Sequence, residues 1–200
     1  MTFRRLKPAS RCLRRQLASM RAYRGDLDAP VWNTAPVTEQ IRPAAPADVD
    51  AITAMAGARR RQYSTYQPVF WAASPDADDV HKPYLAAQVA DENVISLVSE
   101  NSGELTGFVI ASLVGAPPVY SPGGRTCQID DFAVAPGRWS SSGAQLLMAA
   151  IELAVHRGAI QAVVVTGHLD EEKREALRAC GLSIASEWWV TQALRPVDVP

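Results

Sequence analysis

The spacing of apolar residues changes period several times along the chain, and each change marks an element. Residues 38–43 read as a short strand. Pro46 then opens a helix with apolar positions Val49, Ile52, Ala54, Met55 and Ala56. A second helix is predicted from Ser74-Pro75, with Ser74 as its cap, through Val80, Tyr84, Leu85 and Val89. Tyr63, Tyr66, Phe70 and Trp71 cluster between the two. Residues 93–100 and 105–114 are β-rich, and Asn101-Ser102-Gly103 between them predicts an antiparallel hairpin. After a proline-rich loop, residues 126–135 form a strand that Pro136-Gly137 stops. Leu146, Leu147, Ala150, Ile151 and Ala154 recur at helical spacing, and Arg157-Gly158 closes that helix. Residues 159–165 are a continuous apolar run of strand length, the pattern of a strand buried on both faces. Asp170 caps a further helix ending at Cys180-Gly181, and residues 182–190 read as a last strand. There the adjacent Trp188 and Trp189 send one ring inward and leave the other for a partner chain such as a second copy.

Composition narrows the class. With 200 residues, 48% hydrophobic and 20% charged, the chain suits one globular domain with an extension, and it excludes a collagen, a disordered chain or a disulfide miniprotein. Cys12, Cys127 and Cys180 are odd in number and form no CxxC pair, which points to a reducing cytoplasm. No run approaches the roughly 18 to 20 apolar residues that span a bilayer, residues 1–24 lack a secretory stretch, and no HExxH or similar spacing calls for a metal. Charge is unevenly placed: residues 1–24 carry eight arginines and lysines and no acid, while the remainder is acidic overall. Residues 1–37 therefore read as a basic, disordered extension and linker. Such an arm can grip nucleic acid by counterion release. Coding bias, with 17 arginines against 3 lysines, and translation from Met20 explain it without nucleic acid, and that reading is preferred.

The stretch from Asp130 to Ala144 carries the most chemistry. A helix's first turn has unpaired N–H groups and a partial positive charge of about half a unit, so it binds phosphate readily. Ser140, Ser141, Ser142 and Gly143 sit there, small enough to let a pyrophosphate approach the backbone, and Arg138 supplies a forked full charge. The alternative is that Ser140 or Ser142 merely caps the helix. Neither a P-loop GKS/GKT nor GxGxxG is present.

In these residues and in its order of elements the chain resembles the GNAT superfamily of acyl-CoA-dependent N-acyltransferases, whose pyrophosphate loop reads Arg/Gln-x-x-Gly-x-Gly/Ala. The matching stretch is Arg138-Trp139-Ser140-Ser141-Ser142-Gly143. Similarity extends to IRPAAPADVDAI, SENSGELTGFVIAS, IDDFAVAPGR and EEKREALRACGL, covering roughly residues 39–190. The resemblance implies an α/β (mixed α+β) fold over residues 38–195, followed by a tail at 196–200. Its central mixed sheet is flanked by helices and splayed between the fourth and fifth strands. It implies acetyl-CoA as co-substrate, with no metal. The pantetheine arm would lie beside the backbone of Phe132, Ala133 and Val134, the Val134 N–H polarising the thioester carbonyl. The pyrophosphate would rest against Trp139 to Ala144. The implied reaction transfers acetyl to a primary amine of a small molecule or peptide by direct attack.

Two departures from the family pattern stand out. Ser141 replaces the first loop glycine, at a cost of about 1–2 kcal/mol if that position is left-handed. Leu177 stands where many relatives place a tyrosine that protonates the departing thiolate. A thiol pKa near roughly 8.5 makes such help dispensable, so the loss slows turnover rather than forbidding it. A second reading is accordingly an acyl-CoA-binding or regulatory module with weak chemistry.

An acceptor amine with a pKa of about 10.4 arrives protonated and needs a base. Strand alternation puts Asp130 and Asp131 on opposite faces, so one faces the cleft. Asp130 is the first candidate, because Gln128 stands where relatives sometimes carry a glutamate, and Asp131 the second. His168, just past the fifth strand, is a third. His81 and His156 read as solvated or matched to a helix dipole. Tyr63, Tyr66, Phe70 and Trp71 fall where the superfamily often lines its acceptor pocket.

Overall fold

The computed structural model describes residues 39–116 and 119–192, all within the unit Val37–Pro200. In chain order these are β1 (Gln40–Pro43), a 3-10 turn (Pro46–Asp48), α1 (Val49–Tyr66), α2 (Ala77–Ala90), β2 (Ile95–Asn101), β3 (Glu104–Val114), β4 (Arg125–Val134), a π-helical turn (Trp139–Gly143), α3 (Ala144–His156), β5 (Ala159–Val164) and α4 (Glu171–Ala179). The strands form one mixed sheet in sequence order. β1 to β4 are antiparallel neighbours. The crossover through α3 returns the chain so that β5 runs parallel to β4. The α/β class with helices on both sheet faces is the observed one. The expectations for residues 1–37 and 196–200 lie outside the described residues.

β2 and β3 sit mid-sheet and are apolar on both sides because a helical layer covers each face. On one face Leu146, Leu147, Ala150 and Ala154 of α3, with Ala176 and Leu177 of α4, pack on Leu97, Val109, Cys127 and Ile129. On the other, Ile52 and Ala56 of α1 and Leu85 of α2 pack on Val98, Phe108, Ile110 and Ala133. Each such large side chain, fully buried, stabilises the fold by about 1.5–3 kcal/mol. The β2–β3 hairpin turns through Ser102 and Gly103, both at positive φ (54° and 86°), the mirror-type turn that matches strand twist. Arg42 ties β1 to the start of α1: its guanidinium lies 2.7 Å from the Asp48 carboxylate and 2.8 Å from Glu100. Asp48 also accepts the Ala45 N–H at 2.7 Å. Hydrogen bonding from Arg42 holds the Asp48 carboxyl below the usual range.

Three local expectations are corrected. Ser74 does not cap α2: its hydroxyl donates to the Asp76 carboxylate, and the helix begins at Ala77. β5 is not buried on both faces, since Ile160 and Val163 are 52% and 43% exposed. Among the described residues it ladders only to β4 and so lies at the sheet edge, where its side chains meet fewer neighbours than those of β2 and β3. Residues 182–190 form no strand. Their β-propensity finds no ladder partner, and such propensity depends on one. Trp188 and Trp189 are therefore both outside, 81% and 91% exposed, rather than one in and one out.

Candidate active site

β4 and β5 pair from Arg125 opposite Ala159 to Ile129 opposite Val164. The Val165 N–H donates to Ile129 O at 3.1 Å, and β4 then runs on to Val134 without a β5 partner. A bulge marks the divergence: on β3, Ala111 faces Ile129 and Ile110 faces Asp131, which leaves Asp130 as the extra residue. A bulge adds twist and re-aims side chains. Simple alternation had sent the two aspartates to opposite faces; with the bulge, both Asp130 and Asp131 line one cavity of about 640 Å³.

α1, α2 and the segment between them build the opposite wall of that cavity, with Tyr63, Phe70 and Trp71. The Phe70 and Trp71 rings meet edge to face at 4.7 Å, and Trp71 lies 5.0 Å from Tyr63. Tyr66 is not among the lining residues. Its ring leans on Tyr63 at 5.6 Å, and its hydroxyl accepts from Gln62 at 2.7 Å. His168 is exposed and also outside the lining.

His81, read from the sequence as a solvated helix residue, lines the cavity instead. Its Nε2 lies 3.4 Å from the Asp131 carboxylate and its Nδ1 2.6 Å from Arg60 Nη2. A guanidinium only donates, so Nδ1 accepts and the ring carries its proton on Nε2, aimed at Asp131. Asp131 thus has a partner within the wall. Asp130 is exposed, and its one side-chain partner among the described residues is the Gln128 amide, at 2.8 Å.

Beneath the cavity lies a buried polar layer. Asp170 accepts the Lys173 N–H at the start of α4 at 3.4 Å, as a cap should, and also the Tyr63 hydroxyl at 2.8 Å and the Arg59 guanidinium. Burial pushes the Tyr63 hydroxyl up to about 12. Arg59 stacks over Trp139 at 4.7 Å and over Tyr63 at 4.9 Å. Lys173 is 1% exposed. Its Nζ donates to Val165 O at 2.8 Å and to Phe132 O at 3.4 Å, so it bridges the two diverging strands. Burial first, and the Arg59 cation second, draw this amine down to about 7, against weaker opposing pulls from Asp170, Asp131 and Asp130. In the sequence it hides in the charged run Glu171-Glu172-Lys173-Arg174-Glu175. The available signal was its spacing of three and four from the core residues Ala176 and Leu177.

The serine loop folds as a π-helical turn, with the Gly143 N–H reaching Arg138 O at 3.0 Å. Ser141 is not left-handed, for Ser102 is the only non-glycine with positive φ among the described residues, so no backbone penalty arises there. Ser142 is fully buried and donates to Glu39, which also accepts from Thr106 at 2.6 Å. Its hydroxyl is committed inward and does not face a ligand. Arg138 and Ser140 are exposed at the outer surface, and Ala144 begins α3. Trp139 is buried beneath, edge-on to Phe132 at 4.9 Å. A Cβ at Gly143 would stand 2.8 Å from the Trp139 ring, which explains the glycine.

A mixed sheet opened between a bulged fourth strand and a parallel fifth, with a tight turn leading into the crossover helix, is an acyltransferase architecture. The chain belongs to the GNAT acetyltransferase family, whose model matches residues 58–181. Among solved structures it is similar to a predicted acetyltransferase with acetyl-CoA from Clostridium acetobutylicum (16% identity, 78% of this chain and 96% of that one, TM-score 0.60). It is also similar to the aminoglycoside N-acetyltransferase AAC(6')-Iy in complex with CoA (14%, 78% and 95%, 0.59). A third is a ribosomal-protein-alanine N-acetyltransferase from Brucella melitensis biovar Abortus 2308 (17%, 78% and 100%, 0.55). At these identities the likeness shows the fold alone. No curated protein sequence matches the chain. Among the described residues no helix is long and apolar enough to cross a membrane, and no three His, Cys, Asp or Glu side chains group as a metal site.

Proposed function

We propose that this protein transfers an acetyl group from acetyl-CoA to a primary amine, of a small molecule or a peptide, by direct attack on the thioester. The observation that carries this reading is the opening of β4 from β5 beside a cavity holding two carboxylates. The stretch from Phe132 to Val134, laddered to β3 but without a partner on the β5 side, offers backbone groups for a pantetheine arm. Arg138, the hydroxyls of Ser140 and Ser141 and the dipole of α3 would serve the diphosphate, whereas the N–H groups of Ser141, Gly143 and Ala144 are bonded within the turn itself. Asp130 is the proposed base: it is exposed, in no ion pair among the described residues, and able to take the ammonium proton directly or through one water. Asp131, held by His81, attracts the incoming ammonium. Tyr63, Phe70 and Trp71 would enclose its apolar part. Cys127 is buried, its thiol pushed up to about 11 by desolvation, and outside the cavity lining, which argues against a covalent acyl-cysteine.

Leu177 favours a second reading, a CoA-binding module with little turnover. It is only 8% exposed and lies in the core cluster, so that position offers no hydroxyl to a departing thiolate. Calorimetry with CoA, followed by a thiol-release assay across a panel of amines, decides between the two. Binding with amine-dependent release supports the enzyme, binding alone supports the module, and absence of binding refutes both.

A further inference from the structure

The chain has three lysines, Lys7, Lys82 and Lys173. Lys82 is exposed and paired with Asp50 at 2.6 Å. Lys173 is buried at the point where the sheet opens, and among the described residues no carboxylate forms an ion pair with it, since Asp170 is taken by Arg59. Its surroundings suit a free amine. A neutral amine has two N–H donors and one lone pair, and two carbonyls, Val165 O and Phe132 O, stand within reach, one from each side of the opening. The rings of Phe132 and Trp139, 5.1 and 5.3 Å away, complete the surroundings, and Lys173 lines the same cavity as Asp130 and Asp131.

We propose that Lys173 is a self-acetylation site, its amine taking the acetyl group from a thioester bound in its own cleft. This rests on the acyl-CoA reading above. The nitrogen lone pair attacks the thioester carbonyl carbon, the C–N bond forms as the C–S bond breaks, and the proton lost by nitrogen goes to the departing thiolate. The products are N-acetyl-lysine and CoA thiol, and no other reactant is needed. An amide does not pass its acetyl group on, so the modified residue is an end state. It retains one N–H for a single carbonyl, and its added acetyl group occupies cavity space beside the aspartates. Modified protein is therefore expected to turn over more slowly than fresh protein.

At pH 7.5 an amine near pKa 7 is mostly neutral, whereas an ordinary lysine near 10.4 is only about 0.1% neutral, which favours Lys173 chemically while burial shields it from reagents in solution. The charged groups that face it are Arg59 from α1, Asp170 at the head of α4, and Asp130 and Asp131 from β4.

The test incubates the full chain with acetyl-CoA labelled in the acetyl carbon and maps the label by peptide mass spectrometry, with Lys82 and Lys7 as internal controls and CoA affinity measured in parallel. The expected result is at least about tenfold more label on Lys173 than on Lys82, abolished by excess CoA at Lys173 but not at Lys82, and rising from pH 6 to pH 8. Lys173 unlabelled in a protein that binds CoA, or labelled no more than Lys82, overturns the proposal and leaves the acyl-CoA reading standing. Failure to bind CoA overturns both. Lys173→Arg is expected to lose the site-specific label, and the mapping on the native chain decides the matter even where that variant does not fold.

Discussion

The turn before α3 makes a sharp prediction about Gly143. Its backbone is helical (φ −61°, ψ −50°), so alanine should be welcome, returning about 1 kcal/mol of helix propensity. The obstacle is the Trp139 ring, 2.8 Å from where the new methyl carbon would lie, against an ordinary carbon contact of about 3.5–4.0 Å. That ring cannot easily retreat, because Phe132 meets it at 4.9 Å and Arg59 covers it at 4.7 Å. Overpacking a rigid site costs about 1–3 kcal/mol, which exceeds the helix gain over most of its range. Gly143→Ala should therefore destabilise the protein by up to about 2 kcal/mol, or about 2–8 °C in melting temperature for a unit of this size. The sign should invert where the ring is removed: in a Trp139→Leu background the same substitution should stabilise by about 1 kcal/mol. Thermal unfolding of the four proteins of this cycle gives a coupling of about 1–3 kcal/mol. Gly115→Ala, with nothing within 4 Å, is the neutral control. Equal effects of Gly143→Ala in both backgrounds would refute the packing argument. CoA affinity, measured alongside, should fall in Gly143→Ala, because the displaced turn is the one proposed to hold the diphosphate.

Three further outcomes are expected. Asp130→Asn should lower kcat/KM for amine acetylation by about 10²–10⁴ while leaving CoA affinity within a few fold, and an unchanged rate would remove Asp130 as base. Arg42 depresses the Asp48 carboxyl, so its stabilisation is complete above the unfolded value of about 3.9 and lost as pH falls through the lower folded value. Melting curves between pH 5 and pH 2 should show this loss in the native chain and a shallower one in Asp48→Asn. For Lys173 the slope has the same sign but lies at higher pH. Its folded value of about 7 lies below the unfolded 10.4, so the unfolded chain binds more protons between them. The native chain should therefore gain stability relative to Lys173→Met as pH rises from about 7 to 10, by at most about 1.4 kcal/mol per pH unit. The difference from the variant is the quantity to follow, since the buried Cys127 thiol, at about 11 when folded, acts in the reverse sense above about pH 8.5. A flat difference would contradict the burial of that amine.

Local chemistry was legible in the sequence wherever a residue's own geometry decides it. The Asn101-Ser102-Gly103 turn, the proline stop after β4, the Asp170 cap and the apolar stripe of α3 depend on dihedral preference and periodicity within a few residues, and they stand as read. The family resemblance was legible through motifs and the order of elements, whereas the inward turn of the Ser142 hydroxyl onto Glu39 was not. Three features were decided only by neighbours distant in sequence. A bulge registered against β3 brings Asp130 and Asp131 to one cavity, which alternation along a single strand excludes. β5 and residues 182–190 have strand-like composition, but a strand's burial and even its existence depend on which other strands pair with it. Lys173 sits in a run of charge that reads as solvated surface, and only the stacking of α4 under Trp139 and Phe132 takes its amine out of water. Short-range dihedral and capping energies are written into consecutive residues, whereas desolvation and strand pairing are properties of what the folded chain brings alongside.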